Sequence, residues 1–429
     1  MALVITFLFY FLLIVFLCIR GFRSIALIII LVWWGLWNVL SYCSISGLYT
    51  ISFYTQCIYF LFFLFIVLAF FMYNFLFGKP SKKNTNVKKN RDFYNVLLWI
   101  SICFVLPVQI FFASRTIYIL SFVMSPGMYR NDVFGFVSGS PTIFFHSNQL
   151  ALLHALIIGP FQYIYLFAGI SFSVLRKKNA LLLVGVSLVI LDSLIMFGRF
   201  GYHYLIIAVI LGLVFVTYFN GFAKLRSNLL KAFVPIFILL LLTFWITLYR
   251  GSRSFLDIIN MYVVTYHTES FSIFDTELKN PGSILHQYSY GLSMLGGIER
   301  YWVLFLNKFG FMFVSQTDIV GGYLHRDFNI GIDRFSNPIF LNAFGSIFFT
   351  MFRDGGILGI VAFGIFFGMI LAFYSDSLKQ RDPYGFSILL GLIFLLIYGI
   401  FQPTTLGPML PALLFLFLVN FIVKLYNKV

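Results

Sequence analysis

The sequence predicts an all-α polytopic membrane protein, and three observations carry that prediction. Of its 429 residues, 61% are hydrophobic and only 10% are charged, more apolar surface than a soluble fold needs. Apolar runs of about 18 residues or more, enough to cross a hydrocarbon core of roughly 30 Å, recur along the chain. Basic clusters punctuate alternate connections between those runs, as cytoplasmic loops do.

Breaks in hydropathy place about eleven transmembrane helices, near 2–19, 25–42, 51–77, 93–112, 148–175, 180–197, 202–219, 232–249, 356–374, 384–400 and 405–424. The first run, Ala2 to Cys18, has no basic residue before it, and Arg20 and Arg23 follow it directly. A secretory signal has the reverse order, so this run reads as an uncleaved helix with its N-terminus outside the cytoplasm. The other basic clusters are Lys79 to Arg91, Arg176 to Lys178, Lys224/Arg226/Lys231, Lys379/Arg381 and Lys424/Lys428. Placing all of them in the cytoplasm satisfies the positive-inside rule at every loop and leaves the C-terminus inside. Residues 1–249 then hold helices one to eight with an outer loop at 113–147. Residues 250–355 form a large outer loop, and 356–429 hold helices nine to eleven.

The formal charge of +15 is an insertion signal in this reading. The inner side carries 18 Lys and Arg against three acids, and the outer side 11 against ten, so the excess needs no nucleic-acid partner. Residue type divides as well. Twelve of the 18 inner cations are lysine, whereas nine of the 11 outer ones are arginine: Arg115, Arg130, Arg199, Arg250, Arg253, Arg300, Arg326, Arg334 and Arg353. Topology needs charge alone. The planar, weakly hydrated guanidinium adds bidentate recognition of phosphate or carboxylate. The plainer reading is that outer arginines pair with outer acids.

The loop from Arg250 to about Gly355 is too long for a bare connection and is not hydrophilic. Phe255, Ile258, Ile259, Tyr262, Val263 and Tyr266 fall on one helical face, predicting an amphipathic helix that lies on the membrane or packs on the bundle. Ile298 to Phe313 has a similar, less regular pattern.

Several short stretches can carry chemistry. FGRFGYHY, residues 197–204, is an outer hairpin that sets Arg199 at the membrane boundary. Gly198 and Gly201 there permit close approach of backbone or ligand, and His203 shares a face with Arg199 if the helix continues. A snorkelling arginine among interfacial tyrosines explains the same letters. In YRGSRS, Tyr249 to Ser254, Arg250 and Arg253 lie three apart and repel unless an anion sits between them. Asp192, inside the sixth span, is predicted to hydrogen-bond a neighbouring helix around His154. Candidate general bases are His203, His267, His286, His325, Glu269, Asp275 and Glu277, histidine being suited to take a hydroxyl proton near neutral pH. HExxH, GxSxG, P-loop and DxD-type metal motifs are absent. The four cysteines lie in or beside apolar helices and imply neither a disulfide framework nor a zinc site.

Layout and three stretches together resemble the Wzy-type O-antigen polymerases, the oligosaccharide repeat-unit polymerases of bacterial inner membranes. The stretches are FGRFGYHYL, YRGSRS and NAFGSIFFTMFRDGGILGIVAFGIFFG, Asn342 to Gly368. The last departs from the family pattern, having Arg-Asp-Gly-Gly where an aromatic is expected between acid and glycine. The resemblance implies a metal-independent, GT-C-like glycosyltransferase with no cofactor, acting at the periplasmic face on undecaprenyl-diphosphate-linked oligosaccharides as donor and acceptor. It also allows a polysaccharide chain-length regulator as partner. In that scheme Arg199, Arg250, Arg253 and Arg353 bind the diphosphate and His203 or His325 is the base. Tyr249, Tyr266 and Tyr323 stack on sugars. Preorganised arginines stabilise the charge that leaves with a pyrophosphate. A flippase for the same lipid is the rival reading, as is an O-antigen ligase, which differs in acceptor. A flippase would line a lumen with charge, whereas here Asp192 nearly exhausts the mid-span charges.

Overall fold

The computed structural model describes residues 2–19, 24–77, 93–134, 140–221, 225–249, 260–332, 336–341 and 345–426. Each of the eleven apolar segments is helical: α1 (Ala2–Ile19), α2 (Ile25–Ser41), α3 (Phe53–Phe77), α4 (Phe93–Phe122), α6 (Asn148–Arg176), α7 (Ala180–Ile195), α8 (Phe200–Asn220), α9 (Leu225–Tyr249), α14 (Gly356–Gln380), α15 (Pro383–Tyr398) and α16 (Met409–Tyr426). Six of them, α1, α3, α4, α6, α8 and α14, are long and apolar enough to cross a membrane; the remaining five are shorter apolar helices. The chain is thus a helical membrane protein. Between these lie α5 (Pro126–Val133), α10 (Tyr266–Lys279), α11 (Gly296–Asn307), α12 (Gln316–Leu324), a hairpin of β1 (Phe328–Ile332) and β2 (Pro338–Leu341), and α13 (Ile347–Arg353).

The chain divides into two compact units, one of residues 1–85, 255–380 and 391–411, the other of 86–254, 381–390 and 412–429. In the first, α14 lies along α3. A Cβ on Gly364 would stand 3.1 Å from the Phe62 carbonyl oxygen, and one on Gly368 would strike that of Ile66. The two glycines, four apart on one face, let the backbones meet as small residues do at membrane helix interfaces. Trp34 anchors the aromatic core. Its indole N–H donates to the Leu396 carbonyl at 2.9 Å, and its ring packs against those of Phe63, Phe271 and Phe348.

The amphipathic-helix expectation meets this core. Residues 255–259 lie outside the described residues, but α10, which follows, is buried on every side from His267 to Asp275. Of the pattern itself, Val263 is exposed and Tyr266 half-buried, so this packing concerns the residues that follow it. The α10 carboxylate Asp275 accepts from the Ser52 amide at 3.0 Å, the Ser52 hydroxyl at 2.5 Å, the Thr55 hydroxyl at 2.6 Å and Lys279 at 2.5 Å. Those bonds cap the start of α3. The helix α11 keeps the character expected of an interfacial one. Trp302 and Phe305 on it, and Phe309, Phe311, Met312 and Phe313 after it, are all exposed, as membrane-surface segments are. The β1–β2 hairpin was not expected. Leu48 pairs with Gly331 beside it, and the Tyr49 amide donates to the Ile330 carbonyl at 2.8 Å.

In the second unit α4 runs ten residues beyond its expected end, to Phe122. The loop at 113–147 is folded onto that end: Phe112, Ile119, Tyr129, Ile143, Phe144, Ile195 and Phe197 make one buried cluster. Arg115 donates from Nη2 to the Thr142 carbonyl at 2.9 Å and lies 3.3 Å over the Phe145 ring, a structural role. The expected partner of Asp192 is present, His154 Nε2 lying 3.4 Å from its carboxylate and 3.3 Å from Gln109 Oε1.

Candidate functional site

Two polar groupings in the first unit carry candidate residues: Glu277 with Tyr323, from the ends of α10 and α12, and Arg353, at the end of α13. Phe349 links α12 and α13. It stands one helical turn before Arg353 on α13, and its ring centroid is 6.1 Å from that of Tyr323 on α12.

Arg353 is only 5% exposed. Its Nε donates to the Gln287 carbonyl at 3.3 Å, while Nη1 is buried with no acceptor among the described residues. Burial lowers its pKa, and the nearby Asp354 carboxylate works the other way, yet a guanidinium stays charged at neutral pH. The adjacent Asp354 is committed elsewhere, accepting from the Ser289 hydroxyl at 2.5 Å and from the Ser293 and Met294 amides at 2.9 and 2.8 Å. The acid of the Arg-Asp-Gly-Gly turn thus pins the loop at 289–294. Gly356 closes the turn at φ +60°, and a Cβ there would meet the Tyr288 hydroxyl at 2.7 Å. A buried cation with an unfilled donor costs free energy unless an anion completes it.

Glu277, at the end of α10, is buried and accepts from the hydroxyls of Ser283 and Tyr323. Those two hydroxyls lie 3.1 Å apart. Burial first, then the bond to Glu277, raises the Tyr323 pKa, so its phenol stays a donor. Arg326 lies 3.6 Å over the Tyr323 ring and donates from Nε to the Tyr323 carbonyl at 3.2 Å. One face of Tyr323 is therefore covered by a guanidinium, and a sugar stacking there would have to displace it. His325 is exposed, with Nδ1 2.5 Å from the Gly321 carbonyl. A carbonyl only accepts, so Nδ1 carries the proton and Nε2 is left as a basic nitrogen.

The remaining predicted residues distribute as follows. Tyr266, half-buried, opens α10 in the same unit. Arg199 and His203 belong to the second unit, where Arg199 precedes α8 and the His203 amide bonds its carbonyl at 3.4 Å, so the two are one turn apart as expected. Gly201 serves helix packing: a Cβ there would strike the Ser193 hydroxyl on α7. The tight turn itself is made by Phe197, at φ 48°. Arg250 and Arg253 lie outside the described residues, as does the side chain of Tyr249.

Three acids or histidines on the base list have other surroundings. His267 is buried against Trp37, Trp33 and Phe401, with ring centroids 3.8, 5.5 and 4.4 Å away. Glu269 is fully buried with neither oxygen bonded, and burial pushes its pKa well above the ordinary value, so it stays neutral. Asp275 is the cap of α3 described above. Among the outer arginines, Arg300 has the acid partner that the plainer reading expects, Asp318 at 3.3 Å.

Sequence reasoning picked out Arg353, Tyr323 and Glu277 separately and missed the hydrogen bonds that join Tyr323 and Glu277 to Ser283. Comparison with family models, with curated proteins and with solved structures finds no match to this chain.

Proposed function

We propose that this protein is a glycosyltransferase of the bacterial inner membrane that polymerises undecaprenyl-diphosphate-linked oligosaccharide repeat units at the periplasmic face. In this reading all eleven apolar helices span the membrane, with the N-terminus periplasmic and the C-terminus cytoplasmic. The observation that supports it is the Arg353 guanidinium, buried with an unfilled donor and no committed carboxylate. That is the arrangement an anionic leaving group requires.

In the reaction, a hydroxyl of the incoming repeat unit attacks the anomeric carbon at the reducing end of the growing chain. The bond from that carbon to the diphosphate oxygen breaks, and its electron pair leaves with the lipid diphosphate. Arg353 stabilises the developing charge. The hydroxyl proton passes to a base, and His325 Nε2 has the free lone pair for it. Glu277 is already occupied by two hydroxyl donors and serves to hold Tyr323. Exposed apolar side chains around α11 keep this region at the membrane surface, where a lipid-linked sugar is presented.

Purified protein incubated with a synthetic lipid diphosphate carrying one repeat unit, without added metal, tests the proposal. A ladder of longer glycans is expected, and its loss in Arg353→Ala. Intact substrate together with flipping in liposomes would replace this reading by a transporter, and transfer only to a lipid A core by a ligase.

A further inference from the structure

The second unit holds an apolar pocket of about 590 Å³ that the reaction above does not use. It lies between α6, α7, α8 and α9, with walls made by residues such as Ile170, Val186, Leu205, Gly212, Val216 and Ile238. On α6 the lining runs from Leu166 to Val174 and on α8 from Leu205 to Val216. At 1.5 Å per residue these stretches are about 12 and 17 Å long, close to one leaflet of a core roughly 30 Å thick. On α6 the lining reaches Val174, two residues before Arg176, and on α7 it begins at Leu182, whereas on α8 and α9 it covers the middle of the helix.

Its rim is basic. Arg176, three residues beyond the lining Ser173, and Lys177 are exposed, as is Arg226 at the start of α9, six residues before the lining Ala232. Lys178 lies 4.7 Å over the Tyr94 ring and Arg381 lies 5.8 Å over Phe219 at the same helix ends. Across 173–183, 216–232 and 381–383 the one carboxylate is Asp382, which caps the Tyr384 amide at 3.0 Å.

We propose that this pocket binds one acyl chain of an anionic phospholipid from the leaflet at that end, with the headgroup on Arg176, Lys177 and Arg226. Basic clusters beside gaps between membrane helices recognise anionic headgroups in this way. The occupant is a phospholipid and not the polyprenyl substrate, because the length is that of one leaflet and the exposed cations beside Val174 match an anionic headgroup. The site stands whether or not the glycosyltransferase reading holds.

The test uses the full-length protein in detergent. Co-purified lipid is identified by mass spectrometry, and the unfolding midpoint is followed with added phosphatidylglycerol, phosphatidylcholine of the same chains, or undecaprenyl phosphate. The wild type should retain phosphatidylglycerol and be stabilised by it more than by phosphatidylcholine. Gly212→Phe fills the pocket from a position where a Cβ meets only Ile170 at 4.0 Å. Displacing even two methylenes should weaken retention on the order of tenfold. If that variant does not fold, Val186→Phe fills the same space from the facing helix. Arg176→Gln with Lys177→Gln and Arg226→Gln should erase the preference for phosphatidylglycerol. Equal stabilisation by the two phospholipids in the wild type, unchanged retention in a pocket-filled variant, or stabilisation by undecaprenyl phosphate alone would each overturn the proposal.

Discussion

Replacing Arg353 by methionine separates an anion-binding arginine from a structural one, because the two roles predict opposite effects on stability. The guanidinium makes one protein hydrogen bond, Nε to the Gln287 carbonyl at 3.3 Å, and leaves Nη1 buried without an acceptor among the described residues. Losing a charged hydrogen bond costs about 1.5–3 kcal/mol, here at the low end because 3.3 Å is beyond the usual range. Removing an unsatisfied buried donor returns about 1–3 kcal/mol, and methionine keeps most of the apolar stem in place. The two nearly cancel, so Arg353→Met should leave stability within about 1 kcal/mol of the wild type, or raise it, as when buried charges are exchanged for apolar groups. Asp354 does not suffer, since the Ser289 hydroxyl and two amides satisfy it. Paired measurements check this: the thermal unfolding midpoint in detergent, and the glycan ladder from a synthetic lipid-linked repeat unit. A preserved midpoint with a lost ladder is the expected pair. A loss of about 3–5 kcal/mol, the usual result of breaking a buried ion pair, would refute the reasoning and make Arg353 a structural cation. Arg353→Lys keeps the charge and loses the planar fork, so it should fold and show a reduced ladder.

Gly368→Leu should destabilise the first unit by at least about 1–3 kcal/mol through overpacking, because its side chain would strike the Ile66 carbonyl. Gly364→Ala, facing the Phe62 carbonyl at 3.1 Å, should do less, and unfolding midpoints rank the two. Asp275 gives a pH dependence. Burial alone would raise its pKa, but Lys279 and the hydroxyls of Ser52 and Thr55 outweigh that and hold it below the ordinary value. Its contribution is therefore full above the unfolded pKa of about 3.9 and fades as pH falls through the lower folded value. A midpoint that declines below about pH 4, with that acid decline reduced in Asp275→Asn, is the expected record; an identical decline in the variant would remove Asp275 as its source. Tyr323→Phe removes one of two donors to Glu277 and should cost about 1–2 kcal/mol, read by chemical denaturation in detergent, with unchanged stability counting against the bond.

Fold class was legible because crossing a hydrocarbon core imposes a local rule: about twenty apolar residues in helical form, with every backbone group satisfied within the segment. Six of the apolar runs meet it by length and composition, and each run could be placed without knowing any neighbour. The glycines at 364 and 368 were visible as a spacing, and their meaning, a backbone laid against Phe62 and Ile66, required the partner helix. The loop was harder. The pattern at 255–266 suggested a one-sided helix and lies largely outside the described residues; α10, which follows it, is enclosed because α2 and the hairpin cover it. The β1–β2 hairpin depends on pairing with Leu48, nearly three hundred residues away, which no local window contains.

The candidate site divides in the same manner. Arginine in place of lysine in the segments assigned to the outer side brought Arg353 forward. Whether that guanidinium is paired, as Arg300 is with Asp318, or left with an unfilled donor is a matter of what lies across from it. The sequence by itself determined that this chain lives in a membrane and concentrates arginine in the segments between the lysine-rich connections. The tertiary structure decided that Glu277 meets Tyr323 across 46 residues, that Asp354 serves the loop beside it, and that Arg353 is buried without a committed carboxylate. Hydropathy acts on each segment alone, whereas the pairing of a charge depends on every element that packs around it.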